Sequence, residues 1–290
     1  MGIGCGDNRS VSSLRVTIRE ALAASRLPAT EARLLLERAT GWPRVALIAS
    51  PERELTEPAA REFAALSERR QAGVPVAHLL GEREFYGLPL AVGPAVLIPR
   101  PETELLVELA LERLALGTRA RVLDLGTGSG AVALAIKRER PDAEVCAVDA
   151  SPAALEVARS NARRFALAVE FVEGRWFERL GSRRFEIIVG NPPYVAQGDP
   201  HLSSGDLRFE PREALVAGVD GLDAIREIAK SAPAHLEAGG WICLEHGAGQ
   251  DAEVRGIFAQ AGLADVRSRP DLAGIARVTA GRLTSLAGTG

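Results

Sequence analysis

Apolar residues along the chain change their spacing twice, and the changes divide it into three stretches. From Val11 to about Gln71 the spacing is helical, with Leu14, Ile18, Leu22 and Leu27 recurring near the helical period. Thr30 stands before Glu31 and the apolar run Leu34, Leu35, Leu36, and reads as an N-cap. Its capping box is incomplete, because Arg33 fills the third position. Gly41-Trp42-Pro43 ends that helix, and another is expected over 56–71 with Pro58 in its first turn. No strand pattern interrupts this stretch, so residues 1–72 are expected to form a small helical domain.

Over 73–98 the texture changes. Gly73, Pro75, Gly81, Gly87, Pro89, Gly93 and Pro94 break up short apolar runs, and 84–86 and 88–92 can form two strands around Gly87. This is expected to be a hairpin-like linker. Residues 99–290 make the third stretch. Pro101-Glu102-Thr103-Glu104 opens an amphipathic helix to about Leu116, with proline and acids suiting its first turn. Strands then read at 121–125, 144–149, 169–172, 185–190, 241–245, 264–268 and 276–281. Helices read at 131–138, 152–165, 222–236 and 250–261. Such alternation predicts an α/β fold with a mostly parallel sheet and helices on both faces.

Composition narrows the class. The 290 residues are 47% hydrophobic and 25% charged, the balance of a globular protein with a normal core. The formal net charge is −3 and the pI about 5.9. A protein devoted to gripping DNA or RNA usually shows a basic face, so no direct nucleic-acid partner is expected. Cys5, Cys146 and Cys243 are far apart and form no CxxC. Neither a disulfide framework nor a zinc site is expected, and a reducing cytoplasm fits. No apolar run approaches a membrane span. Met1 to Ser10 lacks the pattern of a signal peptide and reads as a short disordered tail. We expect a cytoplasmic monomer.

Two segments carry chemistry. In the first, Val122 to Leu125 form a buried strand that runs into Gly126-Thr127-Gly128-Ser129-Gly130, followed at once by a helix. Glycines let the backbone turn tightly and approach a ligand closely. The next strand ends in Asp149, at the place where a carboxylate can hold a ribose hydroxyl pair. The spacing is G-x-G-x-G rather than G-x-G-x-x-G, and a cofactor without pyrophosphate needs no phosphate cradle. This favours S-adenosylmethionine over a dinucleotide; the alternative is a tight strand-to-helix turn with no ligand.

In the second, the strand over 185–190 ends in Asn191-Pro192-Pro193-Tyr194. An amide nitrogen is a poor nucleophile because its lone pair is delocalised. The Asn191 side-chain oxygen and the Pro192 carbonyl can accept its two N–H groups and aim it at a methyl group. The prolines stiffen the loop, and Tyr194 can lie against the flat group. Positioning of this kind can supply roughly 7–11 kcal/mol of an intermolecular barrier. The plain alternative is a proline turn in which Asn191 is a turn residue.

With these segments in view, the chain resembles the protein-(glutamine-N5) methyltransferases of the HemK/PrmC type, which methylate the glutamine of the Gly-Gly-Gln motif in peptide chain release factors. The resemblance runs from about Leu27. It includes Pro75 to Gly81, Glu84 to Leu88, Leu97-Ile98-Pro99-Arg100-Pro101-Glu102-Thr103-Glu104, Asp124 to Gly130, Asp149, Asn191 to Tyr194, Arg208-Phe209-Glu210-Pro211 and Leu244-Glu245-His246-Gly247. It implies a seven-stranded, Rossmann-like S-adenosylmethionine-dependent methyltransferase domain behind a helical domain and a hairpin linker. It further implies cofactor contacts at Gly126, Thr127, Gly128, Ser129, Gly130, Asp149, Trp176 and Asn191, with Trp176 covering the adenine. Substrate contacts are implied at Asn191, Pro192, Pro193 and Tyr194, with Asn191, Pro192 and Tyr194 carrying catalysis. Arg175 departs from the family, which commonly has an acid there. The 98–104 string favours the release-factor branch, because the related ribosomal-protein enzymes have Ser after the arginine.

His78, His201, His235 and His246 show no metal-ligand spacing, although His246 stands where it can line a cleft. Arg208-Phe209-Glu210-Pro211 reads either as a substrate wall or as a loop held by an Arg–Glu pair. No general base is evident, and none is needed if the methylated amide sheds its proton readily. The rival readings are an adenine-N6 DNA or RNA methyltransferase with the same acceptor geometry, and a non-catalytic binder with a vestigial cofactor site.

Overall fold

The computed structural model describes residues 16–284. The expected tail, the helical positions Val11 and Leu14, and Cys5 lie outside the described residues. The chain divides into two compact units, Met1–Leu80 and Gly81–Gly290.

The first unit is helical. Helix α1 (Ile18–Ser25) starts at Thr17, whose hydroxyl accepts from the Glu20 amide while the Glu20 carboxylate accepts from the Thr17 amide, a complete capping box. Helix α2 (Ala29–Thr40) starts at Pro28 with no side-chain cap, and Gly41, at φ +67°, ends it. The expected cap Thr30 therefore lies inside the first turn: extended Pro28 sets the entry, and its carbonyl accepts from Ala32. Helix α3 (Arg44–Ala49) follows Pro43 and was not foreseen; six residues are too few to display a period. Helices α4 (Glu57–Gln71), capped by Thr56, and α5 (Val76–Leu80) complete the unit. Ile18, Leu35, Leu36, Phe63 and Leu79 are among its buried residues.

The second unit opens with a hairpin, β1 (Glu82–Phe85) against β2 (Leu88–Ala91). Its two turn residues, Tyr86 and Gly87, both have positive φ, as a two-residue hairpin turn requires. A 3-10 turn, Pro101–Thr103, leads into α6 (Glu104–Arg113). Then come β3 (Arg121–Leu125), α7 (Ala131–Glu139), β4 (Glu144–Asp149), α8 (Pro152–Arg164), β5 (Glu170–Glu173), β6 (Phe185–Gly190), α9 (Asp223–His235), β7 (Leu236–Glu245), α10 (Asp251–Gln260), β8 (Ala264–Pro270) and β9 (Ala276–Arg282).

These seven strands form one sheet in the order β5-β4-β3-β6-β7-β9-β8, parallel through β7, with β9 antiparallel to both neighbours. Both faces are covered, which is why β3, β4 and β6 read as nearly unbroken apolar runs. Along β3, Val122 packs in one layer with Leu106, Leu134 and Ile136, while Leu123 and Leu125 pack in the other with Ile225, Ile228 and Phe258. Strand order reverses between β3 and β6, so a crevice opens at their carboxyl ends, the usual ligand position in such sheets. Leu125 and Gly190, the last residues of these two strands, are register partners.

Candidate active site

The glycine loop leaves β3 at Gly126, with φ of +69° at Gly126, +55° at Gly128 and +85° at Gly130. These are left-handed values that favour glycine. The amides of Gly126 and Thr127 both donate to the Val148 carbonyl, at 2.8 and 3.0 Å, so the loop is tied back onto β4. A Cβ at Gly128 would meet nothing within 4 Å, so bare backbone faces open space there. Gly130 has a different reason: a Cβ would stand 3.1 Å from Leu134 and 3.3 Å from Ala158.

Two carboxylates brace the loop. Asp149, at the end of β4, accepts from the Gly128 amide at 2.8 Å and from the Ser151 amide at 2.9 Å. Burial raises its pKa, and these amide donors pull it back. Asp124 is 2% exposed and accepts from the Thr127 hydroxyl at 2.7 Å and the Ala133 amide. Burial pushes it up to about 6 against those two hydrogen bonds. Behind the loop, buried Asn161 donates to the carbonyls of Ser129 (2.9 Å) and Ala91 (3.1 Å) and accepts from the Ala91 amide, binding hairpin, loop and α8 together.

The tetrad leaves β6 at Gly190. The Asn191 side-chain amide donates to the Thr103 hydroxyl at 3.2 Å, and among the described residues its carbonyl oxygen has no hydrogen-bond partner. Tyr194 is half-buried, and its hydroxyl donates to Glu245 at 3.3 Å. Burial, and then the Glu245 charge, hold the phenol pKa above its ordinary value. Beyond the tetrad the chain doubles back: Val195 donates to Leu215 and accepts from Ala217, placing 211–218 along the cleft. Glu210 anchors this segment. Its buried carboxylate accepts from Arg100 and from the Ile98 amide.

Loop, strand ends and returning segment enclose a cleft of about 700 Å³. Of the expected site residues, Gly126, Thr127, Gly128, Ser129, Asp149, Trp176, Asn191 and Pro193 line it. Gly130, Pro192 and Tyr194 do not, although each adjoins a residue that does. Trp176, at φ +48°, sets its ring over Gly126, about 3.5 Å from where a Cβ would be. Arg175 pairs with Glu227 on α9 at 3.0 Å. His246 is no part of the cleft lining: it is fully buried, with Nδ1 on the Gly247 carbonyl and Nε2 on the Thr279 hydroxyl, and burial lowers its pKa. Thr103, Arg100 and Glu245 stand in the sequence as ordinary members of longer strings. Nothing in their types announces that they would meet the tetrad and its flanking loop.

Comparison with known proteins agrees with this architecture. Residues 13–81 match the family model described as PrmC N-terminal domain, and residues 101–206 match Methyltransferase small domain. A release factor glutamine methyltransferase of Burkholderia pseudomallei is 51% identical over 274 residues, 92% of this chain and 96% of the relative. Its counterpart in Escherichia coli is 46% identical over 269 residues, 91% of this chain and 97% of the relative. The chain belongs to the release factor glutamine methyltransferase family. It is therefore an S-adenosylmethionine-dependent methyltransferase, and the resemblance carried by its motif strings holds. Among solved structures, the 16S rRNA N2 methyltransferase of T. thermophilus in complex with AdoMet and guanosine superposes with a TM-score of 0.53 at 23% identity. The match covers 70% of this chain and 49% of that one, and speaks for the fold alone.

Proposed function

We propose that this enzyme transfers a methyl group from S-adenosylmethionine to the side-chain amide nitrogen of the glutamine in the Gly-Gly-Gln motif of peptide chain release factors. The observation that carries the reading is the Asn191 amide. Its nitrogen side is engaged by Thr103, so its oxygen is left to accept an N–H from a planar amide. The Pro192 carbonyl is the second acceptor, and Pro193 stiffens the turn between them and Tyr194.

The cofactor side fits the group. The loop offers left-handed glycines and bare backbone at Gly128. Among the described residues the buried Ser129 hydroxyl has no hydrogen-bond partner. In this reading Gly126 to Gly130 and Asn191 hold the methionine end, Asp149 the ribose hydroxyls and Trp176 the adenine face. When bound, the cofactor supplies an electrophilic methyl group. The protein's own work is to hold the target nitrogen in line, exclude water and keep both N–H groups satisfied. No base is assigned, since the methylated amide loses its proton readily.

The cleft-lining residues all lie between Ala95 and Ala224. Apart from Ala95, Val96 and Leu97, at the end of the 73–98 linker, this lining lies within 99–290, which supports reading 99–290 as the catalytic domain and leaves 1–72 for substrate recognition. No helix among the described residues is long and apolar enough to cross a membrane. A translation substrate fits the expected cytoplasmic location, the formal net charge of −3 fits an enzyme without a direct nucleic-acid partner, and that it acts as a monomer is part of the proposal. The adenine-N6 reading shares the acceptor geometry but has no support in the relatives' names. Labelled S-adenosylmethionine, offered with intact release factor, with a factor lacking that glutamine and with DNA, tests the proposal. Label should enter only the intact factor; label in DNA would overturn the reading. A chain without residues 1–72, if folded, should bind cofactor yet methylate the factor poorly.

A further inference from the structure

Residues 174–177 lead from the end of β5 into the wall of the cleft. Trp176 among them has φ +48°, a left-handed value that a bulky residue keeps only where its surroundings hold it. Ties on both sides supply the hold. On one side the Gly174 amide donates to the Asp149 carbonyl at 3.0 Å, and the Arg175 guanidinium meets Glu227. On the other the Phe177 ring stacks on His235, with centroids 4.6 Å apart and planes 12° from parallel. Glu227 and His235 both belong to α9, about 12 Å apart along its axis. Trp176 therefore stands between two clasps on one helix, the helix whose Ala224 lines the cleft.

The two clasps differ in kind. Phe177 is buried among Leu180, Ile225 and the rest of its layer, and packing holds it. The side chains of Arg175 and Glu227 are 55% and 45% exposed, and charge holds them. They meet fork to fork: Arg175 Nε donates to Glu227 Oε1 at 3.0 Å and Nη2 donates to Oε2. These hydrogen bonds hold the Glu227 carboxyl below its ordinary pKa, so the pair stays charged at neutral pH.

We propose that Arg175 and Glu227 are a positioning pair for the cofactor: their two-pronged bridge fastens the Trp176 turn to α9 and so keeps the indole over the glycine loop, where it walls the adenine end of the cleft. This rests on the reading of Trp176 as the cover of the adenine. The indole has little room for error. Its Cζ3 lies 3.5 Å from where a Cβ at Gly126 would be, so a swing of the turn either lifts it off the loop or drives it into the cleft. Packing at Phe177 secures one side of that turn, and the bridge secures the other.

The test is cofactor binding by the full-length enzyme, measured by calorimetry. Arg175→Ala and Glu227→Ala should each weaken S-adenosylmethionine binding about three- to fivefold, the upper end of what an exposed bridge carries. Adenosine, which keeps only the part that Trp176 covers, should lose as much. Arg175→Glu combined with Glu227→Arg restores opposite charges across the gap and should return Kd to within about twofold of the wild type. High salt should weaken binding by the wild type more than by either alanine variant.

A further readout needs no cofactor. The sequence has three tryptophans, so fluorotryptophan labelling gives three resonances, and Trp176→Phe assigns the relevant one. In the unliganded enzyme it should shift in both single variants and return in the exchanged pair. Wild-type affinity with an unmoved resonance in the single variants would overturn the proposal. So would a loss of affinity that the exchanged pair does not repair, since a bridge acting by charge is indifferent to which end carries which sign. Unchanged affinity in Trp176→Ala would instead strike the adenine reading, and the fluorine resonance would still decide whether the bridge holds the turn.

Discussion

Arg100 and Glu210 stand 110 positions apart in the chain and share a salt bridge in which the carboxylate is wholly inaccessible and the arginine side chain 29% exposed. The asymmetry makes an ordered prediction. Arg100→Ala strands a buried charge with the Ile98 amide as its remaining partner, and should cost about 3–5 kcal/mol. Glu210→Ala frees a guanidinium that is already 29% exposed and leaves the Ile98 amide without that acceptor, and should cost about 1–3 kcal/mol. Urea denaturation of both variants checks the order. Equal losses would mean that the bridge acts through packing rather than charge.

Asp149→Ala should weaken S-adenosylmethionine binding by about 1.5–3 kcal/mol, because two ribose hydroxyls lose a charged acceptor. The same carboxylate accepts from Gly128 and Ser151, so the melting temperature should drop too. Calorimetric titration is the measurement, and an unchanged affinity removes Asp149 from the site.

For Asn191 the prediction concerns rate more than affinity. Asn191→Ala deletes one acceptor and leaves the chain path intact, so single-turnover methyl transfer should slow by about a hundredfold while cofactor affinity changes little. Asn191→Asp keeps an acceptor and should retain more activity than alanine. A wild-type rate for the alanine variant would reduce the tetrad to a turn.

Asn161→Ala removes three hydrogen bonds from a residue with no exposure. The two carbonyls and one amide left behind are desolvated, so stability should fall by about 2–4 kcal/mol. Since Ser129 is one of those partners, cofactor affinity should fall as well. A stable variant with normal affinity would show that the hairpin and the glycine loop hold without this tie.

Much of this was visible in the order of residues. Strands β3, β4 and β6 have the expected limits because a sheet buried on both faces imposes unbroken apolar runs with abrupt polar ends. The glycine loop and the tetrad follow such ends, so their places could be read as well. What escaped the reading was non-local. Thr103 finds Asn191 across 88 positions, and Tyr194 finds Glu245 across 51. A threonine or glutamate inside a motif does not advertise its partner. Some local signals were passed over too. Thr17 with Glu20 is a capping box in plain letters, whereas Thr30 has the letter of a cap but lies inside a helix that Pro28 opens. Strand β7 starts at Leu236 rather than Trp241 because its irregular register with β6 spans Glu237 to Gly240, where Gly239 and Gly240 read as a loop.

The pairing of Leu125 with Gly190 has a consequence for how this enzyme tolerates change. The donor loop starts one residue after Leu125 and the acceptor tetrad one residue after Gly190. On the proposed reading, the origins of the two loops that meet the reactants are therefore set one rung of the ladder apart, about 4.8 Å. A Cβ at Gly190 would stand 3.0 Å from the Leu125 carbonyl and 3.3 Å from the Leu244 side chain, so the rung has no slack to absorb one. The sheet is the enzyme's ruler: it fixes where both loops begin, and the hydrogen bonds at Val148, Asp149 and Thr103 set how each runs from there.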